Sequence, residues 1–153
     1  MSHTSDRDDF QRKLIDALYV EAMAMAEGAR GYFDGIGRQE RDALDPVLRV
    51  GFSCESLKVT TRLMHIIAWI LTQRAVEAGE LQWTEARDPV RRLGVSPESD
   101  ATVLAKLPPH AAALAHGSIE LHRRVERLDQ MADEPAVALG PVQALQARLG
   151  KAF

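Results

Sequence analysis

Apolar positions fall into two rows along the stretch 46–78. One row is Val50, Cys54, Leu57, Thr61, Met64, Ala68, Leu71 and Ala75, in alternating steps of four and three. The second is Leu48, Phe52, Val59, Leu63, Ile66 and Ile70. At about 100° per residue the two rows lie on opposite sides of one helix. A helix on the surface of a domain needs a single apolar stripe, so a helix with two has to be covered twice. The four-and-three row, with Cys54 as a small buried hydrophobe, reads as the seam of the bundle core. The second row is covered by the connection 80–108, by the C-terminal tail, or by a second copy of the chain through a two-fold interface. A bare row of this length is an association hazard, which favours the second copy. Phe52, Val59, Leu63, Ile66 and Ile70 are therefore the candidate dimer-interface residues.

The flanking segments are helical as well. Leu14, Leu18, Ala22, Met25 and Ala29 share one face of a helix over about 9–30, after a polar lead at 1–9. Asp34-Gly35-Ile36-Gly37 makes a turn, and 38–44 has room for one helical turn. Asp45 and Pro46 supply an N-cap and a first-turn proline for the long helix, and Gly79 its stop. The connection 80–109 is polar and carries Pro89, Pro97, Pro108 and Pro109, with short helices expected over 84–93 and 100–106. A third main helix runs over 109–132 with Leu114, Ser118, Leu121, Val125, Leu128 and Ala132 as its seam. No sustained period-two segment bounded by turns is present. The pattern predicts an all-α fold, an antiparallel three-helix bundle with short extra helices, homodimeric, with residues 1–132 as the bundle domain.

Residues 133–153 form a tail. Glu134-Pro135 and Gly140-Pro141 interrupt the chain, and Val142, Leu145, Leu149 and Phe153 then recur at helical spacing. A helix of about twelve residues is marginal alone in water. The segment therefore either docks on the bundle or waits for a groove on a partner, and those four residues are the candidate partner-binding set.

Composition narrows the class. With 46% hydrophobic and only 5% aromatic residues the core is built from Ala, Leu, Val, Ile and Met, which suits close helix packing. A net charge of −3 gives no general attraction to nucleic acid or anionic membrane. The single cysteine, Cys54, excludes an internal disulfide and fits a reducing cytoplasm. The densest apolar run, 63–71, is too short for a membrane span, which needs about twenty residues.

Candidate chemistry is thin. His116 and His122 are six apart, on opposite helix faces, and Arg62 and Ile119 stand where a Glu-x-x-His metal motif needs glutamate. No metal or cofactor is expected. Gly51-Phe52-Ser53-Cys54-Glu55 lacks the last glycine and the preceding strand of a nucleophile elbow, and Gly35-Ile36-Gly37 lacks the third glycine of a nucleotide loop. Arg91-Arg92 and His122-Arg123-Arg124 with Arg127 are basic, but the second cluster is interleaved with Glu120, Glu126 and Asp129, so pairs such as Glu120 with Arg124 are expected. Two readings other than an interaction protein remain open. One is a small-molecule-binding helical protein or helical enzyme with a pocket near His65 and Trp69. The other is a nucleic-acid-associated regulator, which steeply salt-dependent DNA retention would reveal.

Glu21-Ala22-Met23, the run Ala29-Arg30-Gly31-Tyr32-Phe33-Asp34, and Cys54-Glu55-Ser56-Leu57-Lys58-Val59-Thr60-Thr61-Arg62-Leu63-Met64 resemble the RcdA family of bacterial cell-cycle proteolysis regulators. The similarity continues through Trp69, Leu71, Gln73-Arg74-Ala75-Val76 and Gly79-Glu80. It spans the first two long helices; the third matches as an amphipathic pattern and the tail hardly at all. The resemblance implies a homodimeric three-helix bundle without catalytic residues. It implies an adaptor for the ClpXP protease, acting with a CpdR-like primer and a PopA-like, cyclic-di-GMP-responsive adaptor. Its cargo would be regulators such as TacA, with a contribution to CtrA degradation, and its location the cytoplasm with recruitment to the cell pole. The tail would help to hold cargo.

Overall fold

The computed structural model describes residues 2–132 and, in the tail, Leu149. Six helices follow in order: α1 Ser2–Asp34, α2 Ile36–Asp42, α3 Pro46–Glu77, α4 Trp83–Ala86, α5 Ala101–Lys106 and α6 Pro109–Met131. The fold is all-α among the described residues. Local chemistry sets the ends. Asp45 Oδ1 accepts the Leu48 N–H at 3.0 Å and Pro46 occupies the first turn of α3. Gly79, at φ +76°, turns the chain out of α3 in a conformation that a side chain would disfavour. Helix α1 starts seven residues earlier than the polar lead suggested (9 − 2), because helical spacing in 1–9 is carried by polar residues that leave no apolar signature.

The three long helices are not all antiparallel, which corrects the expected topology. Arg74 of α3 pairs with Asp16 of α1 while Phe52 stacks near Tyr32 and Phe33, so α1 and α3 run in opposite directions. Arg62 reaches Ser118 and Trp69 reaches Asp129, so α3 and α6 run in the same direction. Parallel neighbours need a connection that returns the full length of the helix. Residues 80–108 are that connection: a strap lying along α3 and α6, touching Asp129 with Arg92, His65 with Val95, Arg62 with Ser96 and Gly51 with Val103. Its length, improbable for a free loop, is the distance it must cover.

The two rows of α3 are also assigned the other way round from the sequence expectation. Phe52, Val59, Leu63, Ile66 and Ile70 are at most 3% exposed and sit in the core with Ile15, Leu18 and Ala22 of α1 and Ala111, Ala115, Leu121 and Val125 of α6. They are covered within the chain, so they are not a surface for a second copy. The four-and-three row faces outward, and Cys54 on it is exposed. The choice has a physical cause. The covered face also carries Glu55 and Arg62, both buried, which bond to Ser96, Pro97 and Ser99 of the strap as well as to Ser118 of α6 and Lys58 of α3.

A second corner is closed by Tyr32. Its hydroxyl donates to Glu40 of α2, its ring lies 4.2 Å from His110, and the buried Gly37 packs so close that a Cβ there would come within 2.6 Å of the Tyr32 carbonyl oxygen. Burial first, and then the Glu40 carboxylate, hold the Tyr32 phenol above its ordinary value of 10.0. Above about pH 10 the unfolded chain loses this proton and the folded chain keeps it. Stability is therefore full below pH 10 and falls as pH rises. Urea denaturation between pH 8 and pH 11 should show a weaker alkaline loss for Tyr32→Phe than for the wild type; identical slopes would remove Tyr32 as the cause.

Candidate protein-interaction surface

The outward row of α3 is an extended apolar feature on the surface of the described residues. Val50, Leu57, Met64 and Leu71 are 64%, 68%, 64% and 49% exposed, and they alternate with the smaller Cys54, Thr61 and Ala68. Scattered exposed apolar side chains are ordinary, but a continuous row of them is not. A groove of about 390 Å³ between α1 and α3 adjoins it, lined by Ala26, Phe33 and Ile67 with Leu57 and Met64 on its outer wall. Large and small side chains in strict alternation at four-and-three spacing fit a helix that lies nearly parallel to this one.

Behind this surface, the strap is pinned by side chains of α3 and α6. The Arg62 guanidinium, with no exposed surface, donates to Ser96 Oγ at 3.0 Å, Ser118 Oγ at 3.2 Å, the Pro97 carbonyl at 2.7 Å and Ser99 Oγ at 2.6 Å. Ser99 in turn donates to Glu55 Oε2 at 2.6 Å, and Lys58 bridges the other Glu55 oxygen at 3.1 Å. Burial lowers the Arg62 pKa and the Glu55 charge opposes that shift. His65 Nδ1 and His122 Nε2 donate to the carbonyls of Val95 and Gly94 at 2.9 and 2.7 Å. Close to Gly94, a Cβ would meet the His65 ring at 2.5 Å, so the strap lies hard against α3. Sequence reading missed the Glu55–Arg62 pair. Its signal was present: two opposite charges seven residues apart on the face of Phe52, Val59 and Ile66, which only internal partners could satisfy.

The remaining candidates fall into place around this frame. A pocket of about 640 Å³ does lie beside His65 and Trp69, with Arg91 and Asp88 on its rim. Two of its polar groups are engaged within the chain: His65 Nδ1 with Val95, and Trp69 Nε1 with Asp129 Oδ1 at 3.0 Å. His122 is a buried structural residue. Among the described residues no cluster of three or more His, Cys, Asp or Glu is placed to hold a metal. The basic residues of α6 are paired, though not as expected. Arg124 forms a two-pronged bridge to Glu21 of α1 at 2.7 and 3.0 Å, and Glu120 takes Arg123 instead. No described helix is long and apolar enough to cross a membrane. Of the tail residues, Val142, Leu145 and Phe153 lie outside the described residues, and Leu149 is 52% exposed.

At the open end of the bundle, the start of α1 and the ends of α3 and α6 enclose an apolar groove of about 650 Å³. Phe10, Leu14, Trp69, Leu128, Met131 and Ala132 contribute to its lining, and Asp6 and Arg7 stand on its rim. Phe10 is 71% exposed there.

Comparison with known proteins agrees with this architecture. A family model described as a protein of unknown function, DUF1465, matches residues 6–153. The crystal structure of RcdA from Caulobacter crescentus is similar at 32% identity, covering 78% of this chain and 90% of that one, with a TM-score of 0.64. Curated protein sequences give no match.

Proposed function

The chain belongs to the RcdA-type family DUF1465, and from that membership we propose that it is a non-enzymatic adaptor, a cytoplasmic tether that holds regulator cargo at the ClpXP protease together with a CpdR-like primer and a PopA-like adaptor. The observation that carries the reading is the likeness to RcdA, 32% identical over 78% of this chain; the exposed row of α3 adds an apolar surface that suits another helix. A tether needs no chemistry. It raises the effective concentration of cargo at the unfoldase, and avidity grows without new contacts.

We assign the row to a second copy of the chain. Two α3 helices related by a two-fold axis present the same surface to each other. The large residues Val50, Leu57, Met64 and Leu71 of one copy then face the small positions Cys54, Thr61 and Ala68 of the other. The homodimer expected from the sequence is retained in this proposal with its interface moved to the opposite face of the helix. The tail residues Val142, Leu145, Leu149 and Phe153 are kept as the cargo contact.

Met64→Glu tests this. Because Met64 is exposed, the variant should keep its helix content, yet sediment as a monomer. Purified wild type should be retained on ClpX in the presence of primer. A Met64→Glu protein that still sediments as a dimer would take the row away from self-association. Failure of the wild type to bind either protease or primer would leave the family membership as a statement about fold alone.

A further inference from the structure

We propose that the groove at the open end of the bundle is the docking site of this chain's own C-terminal segment, 142–153, which lays Val142, Leu145 and Leu149 over Phe10, Leu14 and Met131. Three observations lead there. Ala132, the residue that caps α6, is itself part of the groove lining, so the tail leaves the bundle at the groove's edge. Positions 133–141 separate it from the amphipathic segment and span at most about 30 Å when extended, ample to turn back across a groove they start from. Pro135 and Gly140-Pro141 favour such a reversal over continuation of α6.

The surfaces match in chemistry. On the groove side, Phe10 and Met131 are 71% and 50% exposed, and Asp6 and Arg7 both stand on the rim, so the match is between apolar faces and not of net charge. On the tail side, Leu149 is half exposed, and helical spacing of the sequence would set Arg148 beside the apolar positions 142, 145 and 149. The Trp69 indole N–H is already bonded to Asp129, which leaves Arg7, Gln11 and Gln73 as the polar donors around an otherwise apolar lining. An apolar helix face satisfies the site, and the tail is the one whose local concentration is set by a short linker. Docking would also answer how a helix of about twelve residues becomes stable. It would mask the tail's apolar face, so that any partner of the tail competes with the groove. Nothing in this depends on the adaptor reading.

The test uses the full-length chain with Cys54→Ser and a nitroxide on Ala147→Cys, on the side of the tail away from Leu145 and Leu149. Amide signals of Phe10, Leu14, Leu128 and Met131 should broaden, and those of α2 should not. Leu145→Asp in the tail and Phe10→Asp in the groove, both away from the core, should each restore the lost signals. A mixed sample, in which the nitroxide is carried only by isotopically silent copies, should show no broadening in the groove. Broadening spread over no patch, or centred on Leu57 and Met64, would overturn the proposal. Equal broadening in the mixed sample would place the tail on a second copy and overturn docking within the chain.

Discussion

Ile66→Glu is expected to unfold the chain, and Ile70→Glu to do the same, whereas Met64→Glu keeps the fold. Ile66 and Ile70 have no exposed surface and touch both α1 and α6 through the core. A carboxylate there has no partner, and burying an unpaired charge costs several kcal/mol beyond the lost apolar burial. Set against a total stability of about 5–15 kcal/mol, a loss of more than about 4 kcal/mol leaves little folded protein. Met64 is two positions before Ile66, on the other side of the helix, and its substitution changes the stability of a monomer by about 0.5 kcal/mol or less. Circular dichroism with urea titration distinguishes the two. A cooperatively folded Ile66→Glu with a wild-type midpoint would mean that the covered and exposed rows of α3 have been assigned wrongly.

The second large effect is expected at Arg62. Arg62→Met removes a buried guanidinium that serves Ser96, Pro97, Ser99 and Ser118 and stands near Glu55. Methionine fills much of the volume but leaves buried acceptors unpaired and one carboxylate less compensated. Breaking a buried charge network from one side costs about 3–5 kcal/mol, a fall in melting temperature on the order of 10 °C for a chain of this size. Arg62→Lys should recover little, because a single ammonium cannot span four acceptors in a fixed fork. Adding Glu55→Gln to Arg62→Met should recover part of the loss, since it removes the unbalanced charge. Hydrogen exchange at 94–99 should rise in Arg62→Met. Unchanged exchange and unchanged melting would mean that the strap is held by His65 and His122 without Arg62.

Much of the secondary structure was legible from local chemistry. Asp45-Pro46 and Gly79 mark α3 to within one residue, because a cap, a first-turn proline and a left-handed glycine act over a few bonds and need no distant partner. Asp100 caps α5 in the same way, accepting the Thr102 N–H at 2.8 Å. The family was readable too, since the Cys54–Met64 and Ala29–Asp34 runs are specific as strings. The periodicity of α6 placed Ser118, Leu121 and Val125 inward correctly. The start of α1 was not legible, because its first turns carry polar residues on every face.

Two decisions lay beyond the order of residues. Both rows of α3 satisfy helical periodicity equally well, and periodicity carries no label for which side is covered. The side was decided where the strap, carrying Ser96, Pro97 and Ser99, could meet Arg62 and Glu55; these contacts span 34 to 44 positions in sequence. The direction of α6 was decided with it, since a strap that crosses the whole helix returns the chain to run parallel to α3. Amphipathic spacing dictated that this chain is a bundle of long helices with apolar surface to spare. Tertiary packing decided which surface was spared: the apolar face of α3 closes on α1 and α6, and its two buried charges are met largely by a strap 34 to 44 positions away, which leaves the other row for a partner.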